Sequence, residues 1–455
     1  MILLPQISAR ELALRVLTAV EEGAFANIAL NRVLEKYRPE KLERAFATEL
    51  AYGTLRSLNT LDWILGHFVK KSLLSQTRIV RNILRLSVYQ LVYMERVPPS
   101  AACNEGAGMA RKYGHPGSVK FVNGVLRTVS RRYGEINYPS LADNPVGHIT
   151  LRYSHPAWMV ERWLKEFGLE GTIALCRANN EPAPNTIRTN TLKITRPGLI
   201  EWLKREGLSV SETVYAPEGL KIEGFYSLGS LPSFQAGLFQ IQDESSMLAG
   251  RALMPAPGSF AVDACSAPGG KTTHLAQLME NRGMILGVDI HPHKLALIQE
   301  NCRRLGIEIV EGREGDARAL PEELAGLADF VLVDAPCSGL GVLRRRPDSR
   351  WRKNPEELPA IVKLQAEILK GASRCVKDGG VLVYSTCTLL REENAGQVEN
   401  FLANHPEFAL EDLRGFLPGA LDPEGTLIKG YLQVYPHLHG MDGFFMARLR
   451  KKGSA

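Results

Sequence analysis

The sequence has no CxxC pair. Its seven cysteines, at 103, 176, 265, 302, 337, 375 and 387, are odd in number and scattered. That pattern argues against a disulfide framework and a structural zinc site, and it fits free thiols in a reducing compartment. Apolar runs long enough to span a bilayer are missing, and the mean hydropathy is −0.11. The opening MILLPQISAR lacks a basic stretch and meets Pro5 at once, so it does not read as a secretory signal. A cytoplasmic protein with no metal and no membrane partner is expected. Internal repeats and low-complexity tracts are absent as well. What is present, 45% hydrophobic and 23% charged residues in a chain of 455, is globular composition in a chain too long for one core.

Acidic residues are scarce in one region. Residues 1–140 hold 20 Lys and Arg against 11 Asp and Glu, a net of +9, which leaves −3 for the rest of a chain at +6. Between residues 70 and 132 the count is 12 basic to 2 acidic. Such concentration is the footprint of a polyanion-binding surface, the alternative being a solvated basic face. Apolar positions recur at helical spacing through ARELALRVLTAV, NIALNRVLEKY, ERAFATELAYGTLRSLNTLDWILGHF and RIVRNILRLSVYQLVYM. In the last stretch Arg78, Arg81 and Arg85 fall at i, i+3 and i+7, on one helical face, and make it the candidate RNA contact. Residues 133–147, with Pro139, Pro145 and Gly147, read as a linker.

Beyond the linker, PAWMVERWLKEFG reads as a helix, NTIRTNTLKI as a strand, RPGLIEWLKREG as a helix and LKIEGFYSL as short strands. This is a small α/β or ferredoxin-like domain, with Arg188, Asn190 and Lys193 as candidates for an RNA surface. From about 236 the pattern becomes strand–helix alternation: FAVDAC, a helix over 270–281, MILGVDI, a helix over 292–304, IEIVEG, DFVLVDAPC, a helix over 355–376, GGVLVYSTC and a helix over 391–403. Alternation of this kind builds a doubly wound, mostly parallel sheet with ligands beyond the carboxyl ends of its strands. The domains expected are 1–140, 141–235 and 236–455.

The unusual residues stand at those strand ends. DACSAPGGKTTH, residues 263–274, puts Gly269 and Gly270 where a backbone comes close to a ligand and a helix opens towards it. Gly270-Lys271-Thr272 half matches a phosphate-binding loop, but Cys265 stands where that loop needs its first glycine, so an NTPase is the rival reading. Asp289 is placed to accept hydrogen bonds from a ribose, and Asp316 to lie near an adenine amino group. DAPCSGLG brings Asp334, Pro336 and Cys337, and LVYSTCTLLREEN brings Cys387. Two thiols and a carboxylate at neighbouring strand ends suit one reaction. A thiolate adds to C6 of cytosine and turns C5 into a nucleophile for a sulfonium methyl group. Lys271 and a helix start near 391 are candidates for stabilising the thiolate, and Asp334 for the proton shared at N3. Order along the chain leaves both Cys337 and Cys387 eligible as the attacking group. Between them LRRRPDSRWRK, residues 343–353, holds six basic residues and Trp351, and reads as an RNA clamp with stacking by the indole.

DACSAPGGKT, DAPCSGLG and STCT resemble motifs I, IV and VI of the RNA 5-methylcytosine methyltransferases of the RsmB/NOP family. RYSHPAWMVERW, FQIQDESSMLAG and HGMDGFFMARLRK are similar to further stretches of that family, and the basic helical region resembles NusB. Motif I reads Cys-Ser-Ala-Pro here where Cys-Ala-Ala-Pro is more usual. The resemblance implies a Rossmann-like methyltransferase domain preceded by an all-α NusB-like domain and a small RRM- or ferredoxin-like one. It implies S-adenosylmethionine held by Cys265, Ser266, Ala267, Pro268, Gly269, Gly270 and Lys271 with Asp289, Asp316 and Asp334. It implies Cys387 as nucleophile and Cys337 in release, with Asp334 and Lys271 in the catalytic group. The implied substrate is cytosine 967 of 16S rRNA, free or in an early small-subunit intermediate, met by a monomer. A different rRNA or tRNA cytosine, or a non-catalytic RNA-binding or antitermination factor, are the alternatives.

Overall fold

The computed structural model describes residues 7–422 and 424–453. Two compact units emerge. One ends at Glu181 and takes in Leu343–Lys353; the other is Pro182–Val342 together with the chain from Asn354 onward.

The first unit is helical: α1 Ala9–Glu21, α2 Ala26–Tyr37, α3 Lys41–Arg56, α4 Leu58–Gly66, α5 Arg78–Tyr93, α6 Pro99–Tyr113, α7 Pro116–Arg132, α8 Pro145–Arg152 and α9 Ala157–Asn180. The single helix expected over 43–68 breaks at Ser57, and α9 is interrupted at Gly168, whose φ of 66° lies in the left-handed region. Leu17, Leu50, Leu61, Leu65, Ile83, Leu84 and Leu126 form the core around α5.

α5 is buried on nearly every side, and this overturns the reading of its arginines. Arg81 pairs with Glu21 of α1 (Nε to Oε1, 2.9 Å), and Arg85 forks onto Asp62 of α4 with two contacts of 2.6 Å. Both guanidiniums lie inside the unit, and of the three only Arg78 is exposed. A helix that is mostly apolar has to bury its polar stripe when neighbours close over it, and carboxylates from those neighbours make that possible.

In the 343–353 segment, which contains α15 Ser349–Arg352, the expected clamp residues Arg350, Trp351 and Arg352 likewise turn to the protein. Arg350 is fully buried and gives its guanidinium to the carbonyls of Ser154 (3.0 Å) and Asn179 (2.9 Å) and to Oδ1 of Asn180 (2.8 Å). Burial brings its pKa down to about 9. The Trp351 indole donates to the Leu55 carbonyl at 2.6 Å, and Arg352 binds the carbonyls of Gly23 and Ala24. These side chains cap the open carbonyl ends of helices within their own unit.

The second unit begins with β1 Thr186–Thr189, α10 Arg196–Arg205, β2 Ser209–Glu212, β3 Gly219–Glu223, the short α11 Pro232–Gln235 and β4 Phe239–Ile241. Its four strands form an antiparallel sheet in the order β2-β3-β1-β4. Arg188 and Asn190 are buried there rather than offered to RNA. Asn190 donates to the carbonyls of Gly237 and Leu305, and Lys193 donates to those of Ala236 and Arg304.

Next come α12 Glu244–Leu253, β5 Phe260–Asp263, α13 Gly270–Leu278, β6 Met284–Asp289, α14 Pro292–Leu305, β7 Val310–Glu314, β8 Ala328–Asp334, α16 Leu358–Ser373, β9 Val376–Thr386, α17 Ala395–Asn404, β10 Phe408–Leu410, β11 Tyr431–Val434, α18 Pro436–His439 and β12 Phe444–Lys451. The sheet runs β10-β12-β9-β8-β5-β6-β7, with β11 added beside β12. β7, β6, β5, β8 and β9 are parallel, and β12 is antiparallel to β9. From β5 the winding proceeds outward to β6 on one side and to β8 on the other. That reversal opens a crevice at the carboxyl ends of β5 and β8, the usual ligand position in such sheets. The Rossmann-like architecture read from the sequence is therefore present, with an all-α region and a small α/β layer before it.

Candidate active site

Every residue singled out at a strand end comes to this crevice. β5 delivers Asp263, and the loop after it runs to Gly269, whose φ of 97° favours glycine and where a Cβ would sit tightly, 3.2 Å from Ile298 Cα. A Cβ on Gly270 would meet nothing within 4 Å, so there is open space beside the first residue of α13. Ser266 binds the Val288 carbonyl through both N–H (2.9 Å) and Oγ (3.0 Å) and ties the loop to β6. Arg188, invisible as a structural residue in the sequence, braces α13 from beneath with bonds to Gln277 (2.7 Å), the Gly270 carbonyl (2.7 Å) and Thr273 (3.0 Å).

Acids surround the loop. Burial pushes the Cys265 thiol up, and the charges of Asp263, Asp334, Asp289 and Asp316 push it further. Asp289 accepts from the Ala267 N–H (3.3 Å) and the His291 N–H (2.9 Å). Asp316 is engaged in a forked pair with Arg318, at 2.6 Å for the closest contact. Asp263 is fully buried and accepts from Thr272 Oγ1 at 2.7 Å; burial lifts its pKa to about 7. Lys271 and Arg318 each pair with one of these acids, and Asp289, which accepts only from backbone N–H groups, is left facing the loop.

Lys271 Nζ lies 2.7 Å from Asp334 Oδ2 and 4.9 Å above the Phe444 ring. Burial alone would lower its pKa, but Asp334 and, after it, Cys387 and Asp263 carry it above the ordinary value. Ser385 Oγ holds the other Asp334 oxygen at 3.0 Å.

The two cysteines meet. Cys337 Sγ and Cys387 Sγ are 3.4 Å apart, each partly exposed. Their loops are stitched by the Gly341 N–H to the Cys387 carbonyl (3.0 Å), and a Cβ on Gly341 would fall 2.0 Å from the Gly443 carbonyl. The hydrogen bond with Cys387, then burial, then the charges of Cys387, Glu393 and Asp334 push the Cys337 thiol well up. Lys271, in turn, places a positive charge near Cys387. The two thiols therefore differ: one is held as S–H and one is offered a counter-ion.

Two corrections follow around Cys387. No helix starts at 391; Arg391–Glu393 is a short 3-10 turn, and α17 begins at Ala395. Glu393, passed over in the sequence beside the equally acidic Glu392, is fully buried beneath both cysteine loops. Nothing in a charged run distinguishes the one that turns inward.

Comparison with known proteins agrees with this geometry. The 16S rRNA methyltransferase RsmB/F model matches residues 251–450, the NusB family model residues 7–131, and the ferredoxin-like domain model of RsmF/B-like methyltransferases residues 155–228. The chain is 39% identical over 450 residues to the probable ribosomal RNA small subunit methyltransferase B of Bacillus subtilis, covering 98% of this chain and 99% of that one. The chain belongs to the RsmB/F family of 16S rRNA methyltransferases. Its Synechocystis relative, described in the same words, is 36% identical across 98% of this chain and 100% of its own length. Among solved structures, PH0851 superposes with a TM-score of 0.83 at 29% identity, covering 98% of this chain and 99% of that one. NSun6 from Pyrococcus horikoshii, solved with SFG, gives 0.60 at 30% identity over 66% of this chain and 99% of that one. Membership places the chain among the S-adenosylmethionine-dependent RNA methyltransferases, with a NusB-like domain, a ferredoxin-like domain and a methyltransferase sheet. Among the described residues no helix is long and apolar enough to cross a membrane, and no cluster of three or more His, Cys, Asp or Glu could hold a metal ion.

Proposed function

We propose that this enzyme methylates C5 of a cytosine in 16S rRNA, cytosine 967, through a covalent bond between Cys387 and C6. The observation that carries this reading is the pair of thiols 3.4 Å apart at adjacent strand ends, with the Lys271–Asp334 ion pair beside them. The crevice fits S-adenosylmethionine: the open glycine turn at α13 admits a ligand, and Asp289 suits ribose hydroxyls. When bound it supplies an electrophilic methyl group. The protein does the rest. Lys271 favours the Cys387 thiolate, which forms a bond to C6 as electrons move onto the ring. The proton that Cys387 gives up passes through Asp334 to N3 as the adduct forms. C5, now enamine-like, takes the methyl group. Release then requires transfer of the C5 proton to a base and cleavage of the C6–sulfur bond, and the Cys337 thiol, 3.4 Å from the departing Cys387 sulfur, is placed to give that sulfur a proton.

RNA approaches a surface that Arg81 and Arg85 do not provide. Lys120, Arg127 and Arg131 are exposed along α7 at i, i+7 and i+11, one helical face, and supply it instead. The substrate is free rRNA or an early small-subunit intermediate in the cytoplasm, and the enzyme works as a monomer.

Serine at each cysteine tests the scheme. Cys387→Ser is expected to form neither adduct nor product, a loss on the order of 10⁴-fold or more, because a hydroxyl is far less ionised than a thiol. Cys337→Ser is expected to methylate once and stay joined to RNA on denaturing gels. An adduct in Cys387→Ser and none in Cys337→Ser reverses the assignment. Bisulfite sequencing of rRNA from a deletion strain tests the nucleotide, and a mark lost from another rRNA or from tRNA would replace cytosine 967.

A further inference from the structure

Glu393 has no place in the scheme above, yet it is a fully buried carboxylate under the reacting sulfurs. One oxygen, Oε2, accepts from the Ser338 N–H at 2.8 Å and from Gln365 Nε2 at 2.9 Å. The other, Oε1, accepts from the Ser338 hydroxyl and from Thr388 Oγ1 at 3.2 Å. Ser338 Oγ and Thr388 Oγ1 are also 2.6 Å from each other. Ser338 follows Cys337, and Thr388 follows Cys387. One carboxylate thus grips the residue after each cysteine. Gln365 extends the grip backward by donating to the Pro336 carbonyl at 3.0 Å, so the Pro-Cys-Ser turn is held on both sides of its thiol. The Glu393 backbone carbonyl is fixed in turn by the Tyr384 hydroxyl at 2.7 Å.

We propose that Glu393 is a positioning residue that sets the register of the two cysteine loops and makes their sulfurs chemically unequal. The inference rests on the covalent reading only for its consequence in turnover; the clamp and the inequality concern the free protein. A buried carboxylate without a facing cation is costly, and it persists only where several donors point at it. Four do here. Its charge acts on Cys337, the thiol pushed upward, and helps keep that sulfur protonated beside Cys387. The groups facing Cys337 are Cys387, Glu393, Asp334 and Tyr384, while Lys271 faces Cys387 from α13. Of these, Glu393 alone bonds to both loops.

Substitution by glutamine separates charge from shape. In Glu393→Gln the carbonyl oxygen still meets the Ser338 N–H and Gln365, and the new amide faces two hydroxyls able to turn and accept. Such a protein should fold. Pulse alkylation with iodoacetamide, read by mass spectrometry across pH without RNA, follows each cysteine separately. In the wild type, Cys387 should react at least tenfold faster than Cys337 at neutral pH. In Glu393→Gln the midpoint for Cys337 should move to lower pH and the ratio should fall at least about threefold. Ser338→Ala, which keeps the charge and loses the hydroxyl tie, should leave that midpoint in place yet slow release, so that more enzyme stays joined to RNA. An unchanged Cys337 midpoint and ratio in folded Glu393→Gln would overturn the proposal. Should Glu393→Gln not fold, Ser338→Ala decides, and wild-type release in that variant overturns it. A Cys387→Ser enzyme that still methylates would instead remove the covalent route and leave the alkylation result standing.

Discussion

The helical unit and the catalytic unit treat their charged residues in opposite ways. In the first, the most conspicuous arginines of the sequence turn inward: Arg81 and Arg85 onto carboxylates, Arg350 and Arg352 onto helix carbonyls. In the second, the conspicuous residues sit at strand ends and converge on a crevice: Lys271, Asp289, Asp334, Cys337 and Cys387. The difference lies in what the backbone decides. A parallel sheet carries the residue after each strand to one edge whatever the loops do, so a motif at a strand end has its position assigned. A helix face has no assigned environment. Whether it meets water or a neighbour depends on packing that charge counting does not contain.

Four measurements test this division between the two units. The largest effect is expected at Arg350. Arg350→Ala should cost roughly 2–4 kcal/mol in urea unfolding, since it leaves buried carbonyls unpaired and a cavity behind. Arg346→Ala, exposed in the same segment, should stay within about 0.5 kcal/mol. Equal effects would mean that the segment does not bind as described.

Asp289→Ala comes next and should weaken S-adenosylmethionine by roughly 1–3 kcal/mol in calorimetry, the cost of leaving ribose hydroxyls without a partner. Unchanged affinity removes Asp289 from the site. For RNA, replacing Lys120, Arg127 and Arg131 together by alanine should flatten the log–log salt dependence by about 2, near 0.7 per contact with single-stranded phosphate. Arg85→Gln should lower stability and leave that slope alone; a changed slope there would return α5 to the RNA surface.

The smallest effect is a pH dependence. Asp263 is lifted by burial from an ordinary 3.8 to about 7. A raised acid favours the folded state most below its unfolded value, and that contribution is lost as pH rises through the folded one. The thermal midpoint of the wild type should therefore fall by a few degrees relative to that of Asp263→Asn between pH 4 and 7.

What was legible follows the same division. Strand–helix alternation from 236 onward gave the sheet, and the ends of β5, β6, β8 and β9 gave the crevice. The α7 arginines went unremarked while those of α5 were noticed, because apolar spacing marks a helix without marking which helix becomes central. The clamp reading misjudged Arg350, Trp351 and Arg352 for a related reason: six basic residues among the eleven of 343–353 look solvated, and the backbone carbonyls that these three meet are displayed by no sequence pattern. Glu393 was hidden by its neighbours. In REEN, two glutamates side by side differ only in the direction the turn sends them.

The return of Leu343–Lys353 to the helical unit also has a meaning in time. The ribosome emits residues up to 181 first, but the segment that caps their carbonyls is completed 172 residues later. At synthesis rates of about 5–20 residues per second, the helical unit waits roughly 10–35 s for Arg350, Trp351 and Arg352. Its first-made helices stay without these caps until much of the catalytic sheet has been translated, so the oldest part of the chain is among the last to be finished.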